Sequence, residues 1–208
     1  MNISKFVLID VALVIVLVLL LPVVQGGKKQ SSLFRRMRKE DLVETTSINL
    51  LDKNRLIALE EIAKSRGSGI EFDSLVGNWK FISVWKKDSD EEDSVFSSLL
   101  RIFSANLEIK EVISSENPFI FSIITSIQFG LFSIEFIGSA YLKGNQPLLP
   151  FFFRKIELKS GSSILLSRSL KEPVVNGKSF FELIALEDNG SCLSARVQGG
   201  SLVLWLKD

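Results

Sequence analysis

Residues 6–24, FVLIDVALVIVLVLLLPVV, form an apolar run broken only by Asp10 and Pro22, both near an end. That is about the length an α-helix needs to cross a hydrocarbon core. A carboxylate one or two turns in from the end reaches the interface or takes up a proton, so Asp10 does not prevent a span. Three readings fit the run: a retained single-span anchor, a cleaved signal peptide, and a buried helix of the domain. A helix on a soluble core keeps a polar face, and Val11–Leu21 has none. Val24 and Gly26 offer a weak cleavage site, but there is no A-x-A pattern and the apolar core is long. The expectation is one transmembrane helix within residues 1–27, followed by a basic neck at 28–40.

Past the neck the pattern changes twice. Residues 41–70 read as helical: Leu42 and Val43 sit in a short amphipathic piece, and Asp52 or Asn54 caps a helix whose apolar stripe is Leu56, Leu59, Ile62 and Ala63. Gly67-Ser68-Gly69 ends it. From about residue 71 to 208 the period is two. Trp79, Phe81, Ser83 and Trp85 alternate with Lys80, Ile82, Val84 and Lys86. In 132–143, Phe132, Ile134, Phe136, Gly138, Ala140 and Leu142 point one way, and Ser133, Glu135, Ser139 and Lys143 the other. Each is a strand with two distinct faces. Further strands are predicted at 107–113, 119–129, 151–159, 163–168, 179–187, 192–197 and 201–207. Asn117-Pro118, Gly144-Asn145, Ser160-Gly161, Asn176-Gly177, Asn189-Gly190 and Gly199-Gly200 separate them as turns. Eight or nine strands at this spacing make a mainly β fold, an antiparallel barrel or a sandwich, preceded by helices.

Composition narrows the chemistry. The 208 residues contain no histidine, which removes the commonest general base and zinc ligand and makes a Ser–His–Asp triad impossible within this chain. Carboxylate, lysine and Ser–Lys chemistry stay open, but Glu135, Glu157 and Glu182 form no paired-carboxylate pattern, and no cofactor fingerprint or catalytic residue is indicated. Cys192, the single cysteine, excludes an internal disulfide and reads as a small core residue. The acidic run 88–93 lacks the glycine and closing glutamate of a calcium loop and reads as solvated, so no metal site is expected. A net charge of +1 gives no reason to expect nucleic acid. Charge does speak to orientation: Lys28, Lys29, Arg35, Arg36, Arg38 and Lys39 follow the apolar run, against Lys5 before it. The positive-inside bias then places the C-terminal domain on the cytoplasmic side, whereas signal-peptide cleavage would export it. The neck either touches anionic headgroups or is a plain stop-transfer flank.

Phenylalanine is frequent at 16 residues, against one tyrosine. Trp79, Trp85 and Trp205, with Phe129, Phe132, Phe136 and the triplet Phe151–Phe153, either fill the interior of a small barrel or line a cavity for one apolar ligand. Arg196 interrupts an otherwise apolar or small run; its guanidinium either snorkels to solvent or grips an anionic group at a mouth. The candidate ligand-binding residues are Trp79, Trp85, Phe132, Phe136, Arg196 and Trp205.

Two stretches resemble the plastid lipid-associated proteins, or fibrillins. Leu75-Val76-Gly77-Asn78-Trp79-Lys80-Phe81 is similar to the family's entry strand after a helical piece. Ala195-Arg196-Val197-Gln198-Gly199-Gly200 through Trp205 is similar to its closing hairpin. About twenty residues carry the resemblance, over a layout spanning 40–208. Val197 stands where the family has glycine, Glu187-Asp188 is a reduced acidic cluster, and a membrane span is not typical of the family. The resemblance implies a lipocalin-like barrel or half-barrel, and a non-enzymatic role in holding small apolar molecules (isoprenoid, carotenoid, quinone or acyl lipid) at photosynthetic membranes such as the thylakoids of a cyanobacterium or plastid. The other expectation is an assembly partner of a membrane complex, with a packed core and no ligand. Membrane lipid, contacted through residues 6–24, is a partner in either case.

Overall fold

A computed structural model of the chain describes residues 53–87, 91–112, 120–142, 148–171 and 179–208. The apolar run 6–24, the basic neck and the predicted piece at 40–52 lie outside the described residues, as do most of the Asn117-Pro118, Gly144-Asn145 and Asn176-Gly177 turns. Among the described residues no helix is long and apolar enough to cross a membrane.

Among the described residues three helices and nine strands follow in order: α1 (Lys53–Arg66), α2 (Phe72–Leu75), β1 (Gly77–Trp85), α3 (Ser94–Ile102), β2 (Asn106–Glu111), β3 (Ile120–Phe129), β4 (Phe132–Tyr141), β5 (Leu148–Ser160), β6 (Ser163–Ser169), β7 (Ser179–Glu187), β8 (Cys192–Val197) and β9 (Leu202–Lys207). Every pairing is antiparallel. The sheet order is β4-β3-β2-β1-β9-β8-β7-β5-β6, and an additional β4–β5 pairing joins its two sides. Eight strands therefore close into a ring, and β6 hangs outside it on β5.

Closure depends on glycine at 138. Gly138 sits opposite Phe153 beside a register shift, and a Cβ there would lie 2.0 Å from the backbone oxygen of Phe152. After β7, Asp188, Asn189 and Gly190 all take positive φ (54°, 55° and 87°) and turn β7 into β8. Asn, Asp and Gly tolerate that conformation better than other residues.

The inner face of the ring is apolar. Trp79, Leu107, Ile109, Phe121, Ile123, Ala140, Leu149, Leu183, Leu193, Ala195 and Trp205 are all essentially solvent-free there. α1 lies against β7 and buries Leu56, Glu60 and Ala63. The expected stripe differs: Ile62 is exposed, and its place is taken by Glu60, which has an ionic partner on β8.

α3 was not foreseen from the pattern, and it explains a break in β1. The strand bulges between Phe81 and Ser83, so Phe81 faces Trp205 inward while Trp85 pairs with Leu202 on the opposite face. Strict alternation placed Trp85 on the face of Trp79; the bulge reverses it. Side chains of α3 satisfy the freed backbone: Arg101 donates to the Ile82 carbonyl at 2.7 Å, and Ser97 Oγ accepts the Val84 N–H at 3.0 Å. Asp93 caps the helix by accepting the Phe96 N–H at 3.1 Å. Phe96 and Leu100 pack against the core from this end of the ring.

Candidate functional site

Inward-facing rings form a continuous line through the interior. Phe81 lies 5.1 Å from Trp205, and Trp205 lies 5.5 Å from Phe181. Phe181 stacks on Phe151 at 4.6 Å, Phe151 meets Phe153 at 5.4 Å, and Phe153 meets Phe136 at 5.5 Å. Ring pairs at these spacings add to plain burial. The line is uneven in exposure. Trp205 is 1% exposed and Phe151 is buried, but Phe81, Phe136, Phe153 and Phe181 are only half-buried although they face inward. Thr125, Ile127 and Val197 share that half-buried state. Ile127 and Val197 lie toward the strand ends that carry the β3–β4 and β8–β9 turns, while Thr125 and Phe136 share a cross-strand row with buried Trp79 and Leu107, and Phe153 shares one with buried Ile123.

One polar atom lies on this line. Trp205 Nε1 is buried and has no hydrogen-bond partner. A buried donor left unpaired carries a desolvation cost. Trp79, by contrast, donates its indole N–H to the Leu75 carbonyl at 2.8 Å, and Lys207 Nζ stands 5.1 Å above its ring.

The structure places two of the six candidates on the aromatic line, Phe136 at one end and Trp205 between Phe81 and Phe181. Trp79 is part of the solvent-free core. Trp85 is buried on the outer face. Phe132 is 42% exposed, stacked on Phe129 at 5.9 Å at the β3–β4 turn. Arg196 alternates with inward Ala195 and so points out, where it clamps α1. Its Nε donates to Glu60 Oε1 at 2.7 Å, a second bond runs from Nη2 to Glu60 Oε2, and Nη1 donates to the Gly200 carbonyl. Lys64 adds a 2.7 Å bond to the same carboxylate. Burial alone would push the Glu60 carboxyl upward, but the hydrogen bonds from Arg196 and Lys64 outweigh it and hold the group below its ordinary value.

Phe81 and Phe181 were not singled out as candidates. Both occur in alternating runs, but only the cross-strand register puts them on either side of Trp205. Cys192 is buried, and desolvation pushes its thiol up to about 11, which suits a core residue and not a nucleophile. Among the described residues no group of histidine, cysteine or carboxylate side chains could hold a metal ion. In the acidic run, Asp93 caps α3 and pairs with Lys86 at 2.8 Å, while Asp88–Asp90 lie outside the described residues. The chain matches no protein-family model, no curated protein and no solved structure.

Proposed function

We propose that this protein is a membrane-tethered, non-enzymatic holder of a small apolar molecule, with a lipocalin-like barrel as its cup. One observation carries this reading: inward-facing aromatic rings that stay half-buried within a closed ring of strands. A fully packed interior excludes water from its inward-facing side chains; here water reaches Phe81, Phe136, Phe153 and Phe181. Replacing that water with ligand surface is worth about 25 cal/mol per Å² of apolar area covered. The orphan indole N–H of Trp205, whose ring neighbours those of Phe81 and Phe181, supplies a polar handle for an acceptor oxygen. Isoprenoid quinones, keto-carotenoids and acyl esters all carry such an oxygen. The apolar run 6–24 would hold the cup at the membrane with its domain on the cytoplasmic side, and the resemblance to fibrillins favours a photosynthetic membrane.

Native mass spectrometry of the gently purified full chain tests this. Retained lipid or pigment is expected, and repeated ligand-free preparations would end the reading. Titration with a short-chain quinone should quench tryptophan emission. Trp205→Phe, which keeps a ring and removes the donor, should weaken that quinone about fivefold and leave a carbonyl-free hydrocarbon unaffected.

A second reading, an assembly partner with a packed core, is favoured by the solvent-free part of the interior around Trp79, Leu107, Ile109, Phe121 and Ile123. Recovery of one stoichiometric protein partner, with no bound lipid, would select it.

A further inference from the structure

Two hairpin turns, β3–β4 and β5–β6, meet at one end of the ring. The Gly161 N–H donates to the Leu131 carbonyl at 3.1 Å, and Phe132 pairs with Ser160. This junction gathers most of the strongly exposed apolar side chains among the described residues: Leu131 is 80% exposed, and Ile164, Leu165 and Leu166 each exceed half. Scattered exposed apolar residues are ordinary, but a cluster on one turn and the adjoining first half of β6 is not. The charge of these hairpins is also unlike that of the chain. Residues 120–142 and 148–171 hold five lysines and arginines against Glu135 and Glu157, a net +3, while the whole chain has 25 cations and 24 carboxylates. Lys155 pairs with Glu157 at 2.8 Å and Lys159 with Glu135 at 2.6 Å, so Arg154, Arg168 and Lys171 carry the excess. Along β6 the order is apolar tip first and cations behind: Arg168 follows Leu165 by three residues, roughly 10 Å of strand.

We propose that this double-hairpin tip docks on an anionic lipid bilayer, with Leu131, Phe132 and Ile164–Leu166 entering the headgroup–acyl boundary and Arg168 and Lys171 resting at headgroup level. Interfacial binding of this kind scales with the apolar area buried and with attraction to anionic lipid. The docked tip continues the strand that carries half-buried, inward-facing Ile127 and Phe129, so an apolar molecule would pass between bilayer and cup with little exposure to water. That last step rests on the carrier reading; the docking does not. A tip that embeds on a protein without ligand would leave the docking standing and remove the carrier.

The full chain, reconstituted into phosphatidylcholine vesicles with roughly one phosphatidylglycerol in three, provides the test. An environment-sensitive fluorophore is attached in turn to Leu131→Cys, Leu165→Cys and Val112→Cys; Val112 follows β2 at the opposite end of the ring, and buried Cys192 stays unlabelled. Blue-shifted emission quenched by nitroxide lipid is expected at 131 and 165 but not at 112, and weaker without phosphatidylglycerol. Water-like emission at all three positions would overturn the proposal. So would a blue shift at 165 that needs no lipid and grows with protein concentration, because that would mark pairing of the free β6 edge with a second copy.

Discussion

Glu60 and Arg196 show how a charged pair is fitted to an otherwise apolar packing surface. Glu60 is 4% exposed on the buried side of α1, and three donors from Arg196 and Lys64 surround its oxygens. Removing the guanidinium leaves a carboxylate under a helix with one lysine to answer it. Arg196→Met should therefore cost about 3 kcal/mol in denaturant unfolding, and Glu60→Gln in the same background should recover part of that loss, because the stranded charge goes with it. The pH dependence follows from the direction of the shift. A carboxyl held below its ordinary value in the folded state contributes stability at neutral pH and loses it as the pH falls below about 4.5. Wild type should lose stability on acidification through that range, and Glu60→Gln should lose less. Proton-linked unfolding midpoints compared between pH 6 and pH 3.5 check this (roughly the window of carboxylate titration).

α3 is the element that most changes how the strands are used. Its cap, Asp93, and its two bulge-binding side chains, Ser97 and Arg101, hold β1 in a register that turns Phe81 inward and Trp85 outward. Asp93→Ala should lower stability by about 1 kcal/mol, the usual cost of a lost cap, and should do so equally at pH 5 and pH 8, well above carboxylate titration. The strands themselves were legible: 179–187 and 192–197 coincide with the expectation, and the rest differ by a few residues at their ends. Alternation is a local property, and those segments keep it. α3 was hard to read because SVFSSLLRI is only nine residues long and follows an acidic stretch that reads as loop, although Val95, Phe96, Leu99 and Ile102 keep helical spacing; its capping carboxylate is hidden among five other acidic or serine positions. The bulge was not legible because it depends on donors and acceptors supplied by that helix. For the same reason the interior line was only half visible. Trp205 and Phe136 stood out by type, but Phe81 and Phe181 acquire meaning only when β1 and β7 are placed beside β9 and β5. Arg196 stood out as a charge in an apolar run, and its partner lies 136 residues earlier on α1, a pairing no spacing rule would find.

At the scale of the whole molecule, the ring depends on the β4–β5 seam. Gly138 lets the β5 backbone approach where any side chain would strike the Phe152 carbonyl. Gly138→Ala should force the seam apart or shift its register, with a loss of about 2 kcal/mol or more; the midpoint of urea unfolding measures it, and amide exchange should quicken in β4 and β5 ahead of β8 and β9. β5 itself changes neighbour part way along. On one edge Leu148–Phe151 are paired with β7, while Lys155–Ser160 are paired on that edge with β6, beyond which there is no further strand among the described residues. The outermost strand can thus fray, bend or be levered against a surface without any of the eight ring pairings being broken. A protein laid out this way separates the part that meets its surroundings from the part that must stay shut, and lets the first be remodelled at little risk to the second.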